Sequence, residues 1–248
     1  MELRYPHKDN GMFILNRNQI DDIATMVHKE YMPHVLEHAQ PVDIDAFAVD
    51  GLFLDVQNKT LGYTGGVLGV TAFGDEIIPC LDDMYRPSEM KVSEGMVLIH
   101  TWLAGYANRA RRRFTLAHEC SHWILHRTYH SPDNKQYTFR TQKPLLIACR
   151  SDNIEKKRHD LKTDEDWEEW QADTLAASLL MPLVPFQWAA DRLIRNYGKR
   201  YLSDKVNREY IEIVEEIADT FRVSKTAAEI RLKQLGFIHK EQRYAFSY

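Results

Sequence analysis

Apolar residues first recur at helical spacing in Ile20, Ile23, Ala24, Val27 and Tyr31. Asn18, with Asp21 three residues later, reads as the cap of this helix, and Pro33 as its stop. Pro41-Val42-Asp43 starts a second, short helix that runs to about Val49 and ends at Gly51. Short apolar runs follow over 52–56, 67–73, 76–80 and 96–101. Gly, Asn and Asp separate them, so they predict strands of a small, mostly antiparallel sheet. A long helix is expected from about Leu103 or Asn108 to His126. The pattern is least regular over 128–164, where 137–140 and 145–148 are strand candidates and 153–166 reads as a charged surface loop. A second strong helix covers about Asp164 to Met181 and stops at Pro182. Helices over about 185–196, 204–221 and 224–235 complete an α+β pattern without internal repeats.

The composition is that of an ordinary globular chain: 248 residues, 44% hydrophobic and 27% charged, enough for a sizeable core. Lys and Arg number 32 against 36 Asp and Glu, a net charge of −4, so direct nucleic-acid binding is not expected. No run approaches the roughly 20 apolar residues of a bilayer span, and the polar first ten residues hold no apolar signal core. Cys80, Cys120 and Cys149 form no CxxC pair, which disfavours a disulfide framework or a cysteine zinc site. A cytoplasmic location with no membrane partner is the expectation.

Candidate chemistry enters with His118-Glu119-Cys120-Ser121-His122, an HExxH pentad inside a predicted helix. Residues four apart share one helix face, about 6 Å from each other, so both imidazoles can reach one ion. Glu119 sits on a neighbouring face, where it can act on a water as general base without being a ligand. HExxH also arises by chance. Here the flanking Phe114, Leu116, Ala117, Trp123, Ile124 and Leu125 make the element half-buried, and a buried ionisable cluster needs a partner.

Catalytic zinc usually takes three protein ligands, so a third must come from another element. The helix at 164–181 offers Glu165, Asp166, Glu168, Glu169 and Asp173. Glu169 and Asp173 share a face. A glutamate there could serve as ligand, with an aspartate one turn on accepting the free N–H of a ligand histidine. An acidic first turn that complements the helix dipole explains Asp164, Glu165 and Asp166 equally well, but not Asp173 among apolar residues. His126 lies about 12 Å along the axis from His118, too far to share the ion, and reads as a packing or helix-end residue. Cys120 reads as a small core residue, and Arg111-Arg112-Arg113 as a solvated face.

Arg113-Phe114-Thr115-Leu116-Ala117-His118-Glu119, with His122 and Leu125-His126, resembles the catalytic helix of the ImmA/IrrE metallopeptidases. Glu169-Trp170-Gln171-Ala172-Asp173-Thr174-Leu175-Ala176, then Leu179-Leu180-Met181-Pro182, resembles the second signature of that family and the ExxxD pattern of gluzincins. Weaker likeness in Pro41-Val42-Asp43-Ile44 and in Val223-Ser224, Arg231-Leu232 and Leu235-Gly236 extends it over roughly 15–240. Ser121 stands where the family usually has Gly. The His122–Glu169 spacing is longer than usual, which marks an insertion at 128–164. The residues before Pro41 are too few for the DNA-binding head that many relatives carry.

The resemblance implies a zincin-like fold: helices and sheet over 1–101, a catalytic core over 102–183 and a helical part over 184–248, as one unit. It implies Zn2+ held by His118, His122 and Glu169, with Asp173 supporting a ligand histidine and Glu119 as the catalytic base. The implied function is an endopeptidase of narrow specificity whose protein substrate is a helix-turn-helix transcriptional repressor. The oxyanion donor is left open among His100, Tyr106, His130 and Tyr137. Two other classes compete: a non-catalytic zinc-binding regulator, and a DNA-binding regulator acting through 223–235.

Overall fold

The first helix, α1 (Arg17–Tyr31), is capped by Asn16 rather than Asn18. The Asn16 side chain accepts from the Gln19 amide at 3.0 Å and Gln19 accepts from the Asn16 amide at 2.8 Å, a reciprocal capping box. Asp21 is unavailable as a cap partner because it is buried, facing Ser178 and Arg231. These coordinates come from a computed structural model that describes residues 3–61, 66–130, 146–150 (backbone), 161–204 and 206–239. The strand candidate at 137–140 lies outside them.

After α2 (Ile44–Ala46) and a wide turn over Phe47–Gly51, the chain enters a mixed sheet. Its strands are β1 (Asp55–Leu61), β2 (Val67–Ala72), β3 (Glu76–Leu81), β4 (Pro87–Val92), β5 (Met96–His100) and β6 (Leu146–Arg150), in the order β4-β3-β1-β5-β2-β6. Among the described residues of this sheet only the β1–β5 pair is parallel, so the mostly antiparallel expectation is met. β1 begins later than predicted, because Phe53 takes a left-handed backbone (φ 56°) and holds the chain in a turn. β4 escaped prediction. It is an edge strand of alternating exposure, and Pro87 opens it where a missing N–H costs little.

Two short 3-10 turns lead into α3 (Arg109–His130), one turn longer than predicted. α3 lies against β2 and β5 and packs along α4 (Asp164–Leu180), which in turn packs on α1. Thr163 and Asp166 cap α4 reciprocally. The helices α5 (Leu183–Asn196), α6 (Arg208–Phe221) and α7 (Lys225–Gln234) follow, with a two-residue parallel pair β7 (Leu202–Ser203) and β8 (Ile238–His239). α6 starts later than predicted because Asn207 accepts from the Tyr210 amide at 2.8 Å and sets the cap there.

The main core unites side chains from α1 to α7, from Leu15 to Leu232, with Leu116, Ala117 and Cys120 of α3 facing Leu175, Ala176 and Leu179 of α4. Alternation along β5 sends Val97 and Ile99 into this core and Leu98 into a smaller cluster on the other face. α7 is anchored by a fully buried Arg231, whose Nη2 lies 2.6 Å from Asp21 Oδ1. Among the described residues no helix is long and apolar enough to cross a membrane.

Candidate metal centre

The HExxH pentad falls in the middle of α3, on the stretch sandwiched between β2 and α4. His118 and His122 are fully buried, and their Nε2 atoms approach to 2.9 Å. From α4, Glu169 places Oε2 3.5 Å from His118 Nε2 and Oε1 3.5 Å from His122 Nε2. The ligand atoms of His118, His122 and Glu169 all lie within 4.8 Å of one another, so this cluster could hold a metal ion. Two donors bound to one tetrahedral zinc sit about 3.3 Å apart, so the donor set fits with a small opening of the histidine pair. Glu169 is the partly exposed member, with a side chain 19% exposed.

Asp173, one turn beyond Glu169, accepts from His118 Nδ1–H at 2.9 Å. Burial alone would push His118 below its ordinary pKa. The hydrogen bond and charge of Asp173, with the charges of Glu169 and Glu119, outweigh it and raise His118 to about 9. His122 is held well below its ordinary value by burial and then by the charge of His118.

The other nitrogen of His122, Nδ1, lies 3.0 Å from His126 Nδ1. His126 Nε2 lies 3.1 Å from Gln171 Oε1, and the Gln171 amide donates to the Phe13 carbonyl at 2.7 Å. His126 is therefore not a helix-end residue: α3 runs on to His130, and His126 is bound into the site's surroundings. Burial, then the charge of His122, lowers its pKa to about 3.

Glu119 faces β2. Its Oε2 accepts from Thr71 Oγ1 at 2.6 Å, while its buried Oε1 has no hydrogen-bond partner among the described residues. Burial raises its pKa to about 7, against the opposing pull of His118 and of the Thr71 hydrogen bond. A carboxyl poised near neutral pH, with one oxygen uncommitted, has the properties of a general base.

Of the other acidic residues of α4, Glu165 is exposed and three are engaged elsewhere. Glu168 Oε1 lies 2.5 Å from His130 Nε2, Asp164 pairs with Lys8 at 2.6 Å, and Asp166 caps its own helix. Of the candidate oxyanion donors, His130 is committed to Glu168, whereas His100 accepts from the Trp102 amide at 3.0 Å through Nδ1, which leaves the ring proton on Nε2. Tyr106 lies exposed beneath Arg109, and Tyr137 falls outside the described residues. Of the arginine run, Arg111 is exposed beside Trp102, whereas Arg112 pairs with Asp45 and Arg113 donates to the Arg222 carbonyl. Cys120 is fully buried in the core, as its position on the helix suggested.

Gly69, Thr71 and Gln171 were not singled out by sequence reasoning. The available signal was a glycine inside an apolar strand run, which marks close approach of another group. No protein-family model matches this sequence, and no curated protein matches it.

Proposed function

We propose that this chain is a zinc-dependent metallopeptidase with a zincin-like fold, akin to the ImmA/IrrE enzymes it resembles in sequence. In this reading it is an endopeptidase of narrow specificity that cleaves a helix-turn-helix repressor and so relieves repression. The observation that carries the reading is the convergence of His118, His122 and Glu169 beside a base that is not one of them.

The donor set, two imidazoles and a carboxylate, suits zinc at a catalytic site that keeps one position open. Bound there, zinc would polarise the scissile carbonyl and lower the pKa of the attacking water to roughly 7. Glu119 would take a proton from the attacking water on Oε1 and pass it to the leaving amine, while Thr71 holds Oε2 and fixes the orientation of the carboxyl. Asp173 holds the ring of His118, committing Nδ1–H so that Nε2 faces the cluster.

The DNA-binding alternative draws no support from α7, whose Arg231 is turned inward on Asp21. Against the non-catalytic alternative, the decisive comparison is parent and Glu119→Gln, both zinc-loaded, incubated with casein and with the helix-turn-helix repressor encoded nearest the gene. Mass spectrometry should show one or two cuts in the repressor, lost in Glu119→Gln, with zinc content and fold retained. Rapid unselective digestion of casein would sink the narrow-specificity reading. Full biological activity of Glu119→Gln would establish a non-catalytic role.

A further inference from the structure

We propose that His126 and Gln171 are positioning residues that fix the tautomer of His122, so that this ligand offers a bare Nε2 to the metal. The assignment rests on the metal-site reading above. It follows from donor and acceptor accounting that begins outside the site.

The Phe13 carbonyl can only accept, so the Gln171 amide must turn its NH2 toward it, at 2.7 Å. That turns Gln171 Oε1 toward His126 Nε2, 3.1 Å away, and an amide oxygen can only accept. His126 therefore carries its proton on Nε2. As a neutral ring buried beyond solvent, it leaves Nδ1 bare. His122 Nδ1 lies 3.0 Å from that bare nitrogen, so His122 must supply the proton between them. A neutral His122 protonated on Nδ1 has a bare Nε2, the atom that faces His118 and Glu169.

α4 thus serves both ligand histidines from residues two apart. Asp173 orients His118 directly, and Gln171 orients His122 through His126. A carboxylate beside His122 would fix its tautomer too, but would add charge. The neutral relay gives direction without charge. It also ties the site to the main chain of the segment that precedes α1, through Phe13.

The test uses zinc affinity, read by competition with a chromogenic chelator, in the parent, His126→Leu and His126→Asn. The Asn Oδ1 reproduces the acceptor at the Nδ1 position, whereas Leu removes it. His126→Leu should weaken zinc binding by about 10- to 100-fold, and His126→Asn should recover most of the loss. Nitrogen-15 NMR of the zinc-loaded parent gives a readout independent of any variant's folding: His122 should be protonated on Nδ1 and His126 on Nε2. Equal zinc affinity in parent and His126→Leu, or a proton on His126 Nδ1, would overturn the assignment and leave the metal site standing. A parent protein that takes up no zinc would overturn the metal reading and this inference with it.

Discussion

A methyl group on Gly69 would stand 2.4 Å from Glu119 Oε1, closer than any tolerated contact. It would also stand 2.8 Å from Thr115 Cγ2, so neither side of the gap can simply give way. Glu119 is fully buried, and its carboxyl could move only by abandoning Thr71. Gly69→Ala should therefore cost about 1–3 kcal/mol of stability through overpacking. It should lower kcat by about a hundredfold or more by displacing the base, while zinc stays bound. Thermal melts, zinc content and kcat measured on one preparation check all three, and a fully active Gly69→Ala would mean that Glu119 is not held by β2.

Thr71→Val keeps the shape of the side chain but removes the hydrogen bond that lowers the pKa of Glu119. The base acts when ionised, so activity is lost as pH falls through its pKa. Without the hydroxyl that pKa rises, and the acidic limb of the rate profile should move to higher pH. A limb that stays in place, or moves to lower pH, would show that another group controls it.

The candidate site is legible in the sequence because it is local. His118 and His122 are one turn apart on α3, and Glu169 and Asp173 one turn apart on α4, so spacing alone predicts a shared face. What it could not supply are contacts made across the fold. Thr71 and Gly69 meet Glu119 only because β2 lies on α3, and Phe13 meets Gln171 only through packing of the N-terminal segment. Distance along the axis separates His126 from His118 but leaves out its neighbour one turn back, His122. β4 was hidden by the polar alternation of an edge strand, and the cap of α1 by two rival Asn-x-x partners.

His28, buried in α1, lies with Nε2 2.9 Å from the Leu179 carbonyl, which only accepts. Burial lowers its pKa to about 4. The Leu179 hydrogen bond opposes that shift and the charge of Arg231 adds to it. An unfolded histidine titrates near 6.5, so below that pH the unfolded chain binds a proton that the folded chain refuses. The stability His28 permits is whole above pH 6.5 and is lost as pH falls toward 4, by up to about 1.4 kcal/mol per pH unit. His122 and His126 act in the same direction. His28→Gln keeps a donor for Leu179 and does not titrate. Urea unfolding of the metal-free protein between pH 4.5 and 7.5 should show a shallower acid decline for His28→Gln, and parallel curves would refute this account.

Metal uptake should displace a proton from His118. In the metal-free chain Asp173 takes the Nδ1–H of His118, so the second proton of the cation sits on Nε2, directed at His122 Nε2. With a pKa of about 9, His118 keeps that proton at pH 7.5, and a cation binding Nε2 must expel it. Apparent zinc affinity should therefore rise with pH up to about 9 and then level off. Asp173→Asn removes the largest influence raising this pKa, so His118 should hold less of that proton at pH 7.5. Any proton released by the attacking water appears in both proteins, and the difference isolates His118. Calorimetry in buffers of different ionisation enthalpy should show the parent releasing more protons per zinc at pH 7.5 than Asp173→Asn, by up to about one, a difference that vanishes well above pH 9. Equal release from the two proteins at pH 7.5 would mean that Asp173 does not hold a proton on His118.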